Sequence, residues 1–366
     1  MTQSIIDTDV HQMWASNEEI RTRLPKRHHH RFKNDSGRHI PDVPSTPYSN
    51  PSGYRTREDL IEDGALGWTS PERLRDNHLN PNSIQYALLN GDALGLNLHP
   101  NSDYAAALAV AINEWVATEW LPVDDRYIAS IYIPRQDPER AAEIIHDWGD
   151  HPRFVQIIMN SASNKLLGKQ YFWPIYEAAA AHNLPIMMHV ASDGAGISGP
   201  TAAGDYPSTF FEHHNIFPTT YMAQINSLIC EGVFVEFPEL TVISAEGGIA
   251  WAPHLMWRMD KNYKTSRKQV PWLRKLPSEY FLNHIKFTQQ PVPEPQNLNH
   301  LSQIFEMIQA DKTLMFSSDF PHWDGDYWDE DRQPGLPPLS DGEMSRILYR
   351  NAKELYSLPD KPSKIK

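Results

Sequence analysis

The sequence IIDTDVH, residues 5–11, is the first apolar run of the chain, and it ends in two side chains that can bind a metal ion. Strand residues alternate between two faces, so Asp9 and His11 would point the same way and could approach one ion. The pair alone is weak evidence, since an aspartate and a histidine in this spacing also serve as caps or hydrogen-bonded core residues. The run therefore predicts a strand that ends in either a metal site or a structural pair.

Two later apolar runs end in the same way. LPIMMH, residues 184–189, ends in His189, and LMFSSD, residues 314–319, ends in Asp319. Each has a simpler explanation of its own, a hydrogen-bonded core histidine for the first and a loop-capping aspartate for the second. Three separate strands that each end in a ligand-type side chain nevertheless favour one shared site. Imidazole combined with carboxylate suits Zn, Mn or Fe.

Short apolar runs alternate with helical patterns along most of the chain, which is the order expected of a parallel sheet wrapped by helices. Eight candidate strands begin at Ile5, Ile84, Tyr127, Phe154, Pro185, Thr241, His284 and Lys312. The helices between them have readable starts, because Ser102 would cap a helix over 103–120 and Asp137 with Pro138 would open the next. We therefore predict an α/β fold, a (β/α)₈ TIM barrel formed as one domain by residues 1–366.

A long irregular segment, residues 21–82, interrupts this order after the first strand. It is rich in Pro, His, Arg, Asp and Ser, with one short helix signal at 70–72. Loops of this length usually serve as lids or binding loops, and one that follows a barrel strand lies over the carboxyl-terminal face. We expect a lid over the barrel mouth or an interface with another subunit. The adjacent histidines at 28–30 would diverge in direction, so we expect a solvated loop there.

Composition and charge argue against several classes of protein. The net charge of −13 disfavours general binding to nucleic acid or to a membrane surface, because both require a basic face. No stretch approaches the roughly 20 apolar residues of a membrane span. The single cysteine, Cys230, cannot form an internal disulfide and is expected to be inert core. We expect a soluble cytoplasmic protein that acts on a small molecule and assembles as a homo- or hetero-oligomer.

These motifs together resemble the amidohydrolase superfamily, and within it the amidohydrolase-related branch that includes aminocarboxymuconate-semialdehyde decarboxylase and dihydroxybenzoate decarboxylases. The resemblance covers nearly the whole chain and rests on the motifs IDTDVH at 6–11, LPIMMH at 184–189, FPEL at 237–240, SDFPH at 318–322 and Asn-Ala at 351–352. It implies a metal-dependent TIM barrel with Asp9, His11, His189 and Asp319 as metal ligands. The motifs are specific for the fold and the metal, and poorly specific for the reaction.

Two departures from the branch affect the predicted chemistry. The first motif is usually His-x-His, whereas here the first position is Asp9. Strand six of the branch usually ends in a histidine, which is catalytic in the decarboxylases, but here VISAEGG, residues 242–248, offers Glu246. Glu246 is then a structural carboxylate paired with Arg258 or another nearby cation, a general base on a metal-bound water, or a ligand to a second metal. Strand four, residues 154–159, has no lysine that could be carboxylated to bridge two ions.

Other side chains near these motifs have two interpretations each. His322 either faces the pocket or lies at the surface. The tryptophans Trp251, Trp257 and Trp323 either line a cavity or pack in the core.

Three functions remain open from the sequence. The first is a metal-dependent hydrolase or nonoxidative decarboxylase of a small organic acid or amide, with Glu246, His322 or Asp319 moving protons and a divalent Zn, Mn or Fe ion as cofactor. The second is an oxygen-dependent hydroxylase of an amino acid or amine with a dinuclear Mn/Fe or diiron centre, which the oxygen-rich ligand set allows. The third is a noncatalytic subunit that supports a partner.

Overall fold

The structure is a computed structural model that describes residues 4–32, 43–44, 48, 56–57, 60–62, 65–326 and 335–362. Within these residues a parallel sheet of eight strands forms the centre of the molecule. Its strands are β1 Ile5–Val10, β2 Ile84–Leu89, β3 Tyr127–Tyr132, β4 Phe154–Asn160, β5 Ile186–His189, β6 Val242–Ala245, β7 Ile285–Thr288 and β8 Leu314–Met315. Each strand begins within two residues of its predicted start.

The two edges of this sheet meet and close it into a barrel. Neighbouring strands pair in chain order from β1 to β8. The backbone N–H of Thr8 then donates to the carbonyl of Phe316 at 3.0 Å, and that of His11 donates to Phe320 at 2.7 Å. Strand residues are buried almost throughout, as expected when helices cover the outer face of a parallel barrel. The predicted (β/α)₈ TIM barrel is confirmed.

Helices alternate with the strands along the chain. Their bounds are α1 Asn17–Arg21, α2 Pro71–Leu74, α3 Ser102–Trp115, α4 Pro138–Trp148, α5 Trp173–Ala181, α6 Phe210–Asn215, α7 Phe217–Cys230, α8 Val233–Glu236, α9 Ala252–Ser266, α10 Pro277–His284, α11 Leu298–Ile308, α12 Ala310–Thr313, α13 Asp341–Ser345 and α14 Asn351–Leu355. As predicted, Asp137 caps α4 with Pro138 in its first turn. Ser102 is not the cap of α3, because the helix starts one residue early and the side chain of Asn101 accepts from Tyr104 N–H at 3.0 Å. None of the described helices combines the length and the apolar character needed to cross a membrane.

Two smaller expectations are wrong. The histidines 28–30 lie in a 3₁₀ helix, Lys26–Phe32, where His28 is buried with its Nε2 atom 3.2 Å from a carboxylate oxygen of Asp103. The prediction of a solvated loop is wrong because the side chain of His28 packs against α3. Cys230 is only half-buried at the end of α7, since the helix ends there and exposes its last turn.

Two described parts of the segment 21–82 contact the carboxyl-terminal side of the barrel, whereas its last residues return to the amino-terminal end, where the carbonyl of Pro71 accepts from the Tyr127 hydroxyl at 2.6 Å. Arg57 N–H donates to the carbonyl of Pro321 at 3.0 Å, and the ring of Tyr48 stacks on His213 with 4.3 Å between centroids. Residues 33–42, 45–47, 49–55, 58–59 and 63–64 of this predicted lid lie outside the described residues. The lid and the single domain over 1–366 therefore stay predictions.

Candidate metal centre

The carboxyl ends of β1, β5, β6 and β8 bring five predicted ligands together. His11 Nε2 lies 3.3 Å from Asp9 Oδ1, 3.4 Å from Glu246 Oε1 and 3.0 Å from Asp319 Oδ1. His189 Nε2 lies 3.2 Å from Asp9 Oδ2 and 3.1 Å from Glu246 Oε1. Parallel barrel strands all end at one face, so residues separated by more than 300 positions in sequence meet there.

Both histidines present the nitrogen that a metal needs. The Nδ1–H of His11 donates to the carbonyl of Gly91 at 2.8 Å, and that of His189 donates to Val190 at 2.6 Å. A donated Nδ1–H leaves the lone pair on Nε2, which is how metal-binding histidines are usually oriented. Gly91 has a φ of +62°, and a Cβ there would come within 2.7 Å of the Tyr132 hydroxyl, so this carbonyl position requires glycine.

The facing atoms of this cluster lack hydrogen bonds. Asp9 Oδ2, His11 Nε2, His189 Nε2 and Glu246 Oε1 are all buried without a hydrogen-bond partner. Buried polar atoms are normally paired, and these four residues each offer a ligand atom within 4.8 Å of the others, which is the arrangement a bound cation would satisfy. Their separations also match the edge of about 3.0 to 3.4 Å between neighbouring ligands of an ion with bonds near 2.1 Å. The residues present therefore fit a divalent metal ion.

A second group of ligand atoms overlaps the first. His11, Glu246, Asp319 and His322 also have one ligand atom each within 4.8 Å of the others. His322 Nδ1 lies 2.5 Å from Asp319 Oδ1 and 3.8 Å from Glu246 Oε1. Glu246 thus belongs to both groups.

The backbone is strained where two of these side chains leave their strands. Glu246 has a φ of +55° and Asp319 a φ of +57°, a left-handed conformation that costs a non-glycine residue about 1 kcal/mol or more. Such strain persists only when the surrounding structure imposes it. Here it turns both carboxylates toward His11.

Opposite charges set the protonation of the cluster. Burial alone would raise the pKa of Asp9 and of Glu246, but the adjacent histidines hold both well below the ordinary carboxylate range. Burial would lower the pKa of His11 and of His189, yet the carboxylates raise both well above the usual value. Protons and a divalent cation therefore compete for His11 and His189, because only neutral imidazole binds a metal.

Asp319 behaves differently from the other two carboxylates. Burial and the charge of Glu246 raise its pKa to about 7. Burial opposes the charged form of His322, but Asp319 outweighs it and raises the pKa of that histidine to about 10. At neutral pH His322 therefore carries a proton, and its Nδ1 atom lies 2.5 Å from Asp319 Oδ1.

The cluster forms the floor of a cavity of about 320 Å³. Aromatic side chains make part of its wall, namely Phe210, His213, His214, Phe217 and Trp323. His214 Nε2 lies 3.2 Å from a carboxylate oxygen of Asp324, which raises the pKa of this histidine. A cavity of this size with apolar walls and a few convergent polar groups is typical of a small-molecule site.

The other predicted site residues have mixed outcomes. His322 and Trp323 line the cavity. Trp251 instead packs on Phe281 and Phe287, and Trp257 is 60% exposed. Glu246 is not paired with Arg258, which is exposed on α9, because its carboxylate turns inward to the histidines.

Sequence reasoning missed the side chains behind the ligands. Asn90 Nδ2 donates to Asp9 Oδ1 at 2.6 Å. Asp7, two residues before Asp9 on β1, accepts from the Ser318 hydroxyl at 2.5 Å and pairs with His78 Nε2 at 2.7 Å. Asn90 directly follows an apolar strand, and His189 ends one. The pattern that identified His189 could therefore also have identified Asn90.

A family model described as Amidohydrolase matches residues 90–358. The chain belongs to the amidohydrolase family. The resemblance drawn from the motifs is confirmed, and with it the prediction of a metal-dependent enzyme of this superfamily.

Known members of the amidohydrolase family resemble this one over most of its length. A gamma-resorcylate decarboxylase of Polaromonas sp. (strain JS666) is 26% identical over 309 residues, which cover 78% of this chain and 86% of that protein. An amidohydrolase from Mycobacterium avium subsp. paratuberculosis K-10 has a TM-score of 0.74 at 18% identity, with 97% and 100% of the two chains covered. A 5-carboxyvanillate decarboxylase from Novosphingobium aromaticivorans, solved with manganese and 4-hydroxy-3-methoxy-5-nitrobenzoic acid, has a TM-score of 0.68 at 18% identity, with 97% and 96% covered. The two structures support the barrel fold.

Proposed function

We propose that this protein is a metal-dependent, nonoxidative decarboxylase of a small aromatic acid. The observation that carries the proposal is the set of unpaired, buried ligand atoms at the floor of a cavity with aromatic walls. The names of its relatives, which include decarboxylases of resorcylate and carboxyvanillate, support the same reaction class. The fold alone would not select it, since amidohydrolase-type barrels carry several reactions.

Manganese is the ion that we propose for the site, held by Asp9, His11, His189, Glu246 and Asp319. Three carboxylates with two imidazoles form an oxygen-rich donor set that suits manganese or iron better than a tetrahedral zinc site. A bound divalent ion would act as a Lewis acid that holds oxygen atoms of the substrate.

The cavity walls would orient the substrate. The described residues that line it include Asp92 and Asp324 but no lysine or arginine. A divalent ion at the floor of the cavity would therefore supply the charge that opposes a substrate carboxylate. Its ring would lie against Phe210, Phe217 and Trp323, where aromatic rings contribute about 0.5–1.5 kcal/mol beyond burial.

Decarboxylation needs a proton at the ring carbon. The bond to the carboxyl group breaks, carbon dioxide leaves, and the electron pair stays on the ring until that carbon is protonated. His322, whose pKa the Asp319 carboxylate raises to about 10, holds a proton at neutral pH, and both side chains face the cavity. We assign proton delivery to this pair, because the histidine that usually ends strand six of the branch is Glu246 here.

One observation supports a second candidate function. Because Glu246 belongs to both groups of ligand atoms, it can bridge two ions, and a dinuclear centre would support oxygen-dependent hydroxylation. Hydrolysis of an amide, with Glu246 as base, needs one ion only.

The test is a substrate panel on protein loaded separately with manganese, iron or zinc. Release of carbon dioxide from hydroxybenzoates, with loss of their ultraviolet absorbance, is the expected result with the manganese form. Asp319→Asn and His322→Gln should each slow this release by at least about 100-fold, the usual contribution of a general acid. Oxygen consumption with amines, or amide cleavage without carbon dioxide release, would refute the proposal.

A further inference from the structure

A layer of hydrogen-bonded polar side chains crosses the barrel interior beneath the candidate metal centre. The interior of such barrels is ordinarily filled by branched apolar side chains. Here Asn90, Ser130 and Gln156 are each 0% exposed, on or just after β2, β3 and β4. Burying uncharged polar groups costs free energy unless each group forms hydrogen bonds. A polar layer in place of apolar side chains therefore needs a structural or functional reason.

The layer forms one continuous chain of hydrogen bonds. Tyr356, which follows α14, donates its hydroxyl proton to Gln156 Oε1 at 2.7 Å. Gln156 Nε2 donates to Ser130 Oγ at 2.8 Å, and Ser130 donates to Asn90 Oδ1 at 2.6 Å. Asn90 Nδ2 then donates to Asp9 Oδ1 at 2.6 Å.

The carboxylate at one end fixes the direction of every bond in this chain. Asp9 Oδ1 accepts a hydrogen bond, so the amide nitrogen of Asn90 must face it. The oxygen of Asn90 then accepts from Ser130, which in turn accepts from Gln156. The remaining amide oxygen of Gln156 leaves Tyr356 as a donor. Aligned donors polarise one another, so the last bond of the chain is strengthened by the first.

The chain also selects which oxygen of Asp9 is left for a ligand. Oδ1 is occupied by Asn90, whereas Oδ2 is buried without a hydrogen-bond partner and lies 3.2 Å from His189 Nε2. A bond at 2.6 Å to one oxygen prevents the carboxylate from rotating about its own axis. The other oxygen is thereby held toward the centre of the cluster.

We infer that Asn90, Ser130, Gln156 and Tyr356 are positioning residues for the metal ion, which they serve by holding the Asp9 carboxylate with Oδ2 facing the ion. The inference rests on the proposed metal centre and extends it to a tyrosine three side chains removed from the ligand. A layer with only a structural role would stabilise the fold without any effect on metal affinity.

Three variants interrupt the chain at increasing distance from Asp9. They are Asn90→Leu, Gln156→Met and Tyr356→Phe, each close in size to the residue replaced. The control is Tyr176→Phe, which removes the hydroxyl of another buried tyrosine. The only described hydrogen bond of that hydroxyl, to the carbonyl of Leu167 at 2.6 Å, lies outside the layer. Affinity for Mn²⁺ is measured on metal-free protein by competition with a chelator, and the melting temperature of the metal-free protein is measured alongside.

Asn90→Leu should weaken Mn²⁺ binding about 10- to 100-fold, as expected when a partner of a ligand is lost. Gln156→Met should weaken it less and Tyr356→Phe least, while Tyr176→Phe keeps the wild-type affinity. Melting temperatures of the metal-free forms should not follow that order, because Tyr356→Phe and Tyr176→Phe each lose one buried hydrogen bond.

If Gln156→Met and Tyr356→Phe both bind Mn²⁺ like the wild type, the inference is wrong even if Asn90→Leu fails to fold. An equal loss in Tyr176→Phe would also overturn it, because the effect would then reflect general destabilisation. Absence of divalent metal binding by the wild type itself would instead refute the proposed metal centre.

Discussion

Replacing Glu246 with glutamine tests the centre at the position where the chain departs most from its family. The substitution keeps the shape of the side chain and removes its charge. In the structure Glu246 Oε1 is unpaired and lies 3.1 Å from His189 Nε2 and 3.4 Å from His11 Nε2. Asp9, Glu246 and Asp319 together supply three negative charges when ionised. One divalent ion would leave the cluster at −1, and two would leave it at +1.

The expected change in melting temperature follows from the linkage between metal binding and folding. An ion present at 100 times its dissociation constant stabilises the fold by about 2.7 kcal/mol, and a hundredfold loss of affinity removes most of this. For 366 residues the unfolding entropy is about 0.8 kcal/mol per degree near the melting temperature. The metal-dependent rise in melting temperature should therefore be about 3 to 4 °C for the wild type and below about 1 °C for Glu246→Gln.

The assay combines metal content, melting temperature with and without Mn²⁺, and turnover. Glu306→Gln, the same change at an exposed position of α11, is the matched control and should behave like the wild type. If Glu246 bridges two ions, the variant should also hold one ion fewer per chain. Unchanged stoichiometry and an unchanged thermal shift with lost turnover would show that Glu246 is a base and not a ligand.

Three further outcomes follow from other parts of the structure. His189→Ala should abolish tight Mn²⁺ binding, and full metal content with full activity in this variant would disprove the ligand assignment. His78→Ala should destabilise the fold by about 1 to 3 kcal/mol, measured by denaturant unfolding, because it removes one of the buried hydrogen-bond partners of Asp7 and leaves the bonds from Ser318, yet it should not lower metal content. Burial raises the pKa of Asp193 to about 7, so the folded state resists its ionisation and stability falls as pH rises from the unfolded value near 4 toward 7. Asp193→Asn should therefore gain stability over the wild type, by up to about 4 kcal/mol at pH 8 and less at pH 5, and an equal gain at both pH values would contradict this cause.

The fold was readable from the sequence because its signals are local. Each apolar run that forms a strand is bounded by turn or helix residues, and helix starts such as Asp137-Pro138 depend only on neighbouring positions. The candidate ligands were readable for a related reason, since a polar side chain directly after an apolar strand must emerge at the carboxyl-terminal face of a barrel. His189 is the last residue of β5, and Asp319 lies four residues beyond the end of β8.

The same rule could not distinguish residues that would bind the metal from residues that form hydrogen bonds to those ligands. Asn90 also follows an apolar strand, but whether it faces an ion or a carboxylate depends on which side chain the adjacent strand presents. The prediction that Ser102 caps α3 was wrong for a different reason. Ser102 and Asn101 are both favourable N-cap residues, and the residue at which the helix begins decides which of them is the cap.

By itself, the sequence determined the barrel, its strand order and the identity of five candidate ligands, because these depend on periodicity and on where each strand ends. The tertiary structure alone decided that Glu246 turns toward two histidines instead of Arg258, that Asp9 presents Oδ2, and that Asp7 bonds Ser318 from 311 residues away. Those features depend on distances between side chains from different strands. Such distances exist only once the barrel has closed, and no local pattern in the chain encodes them.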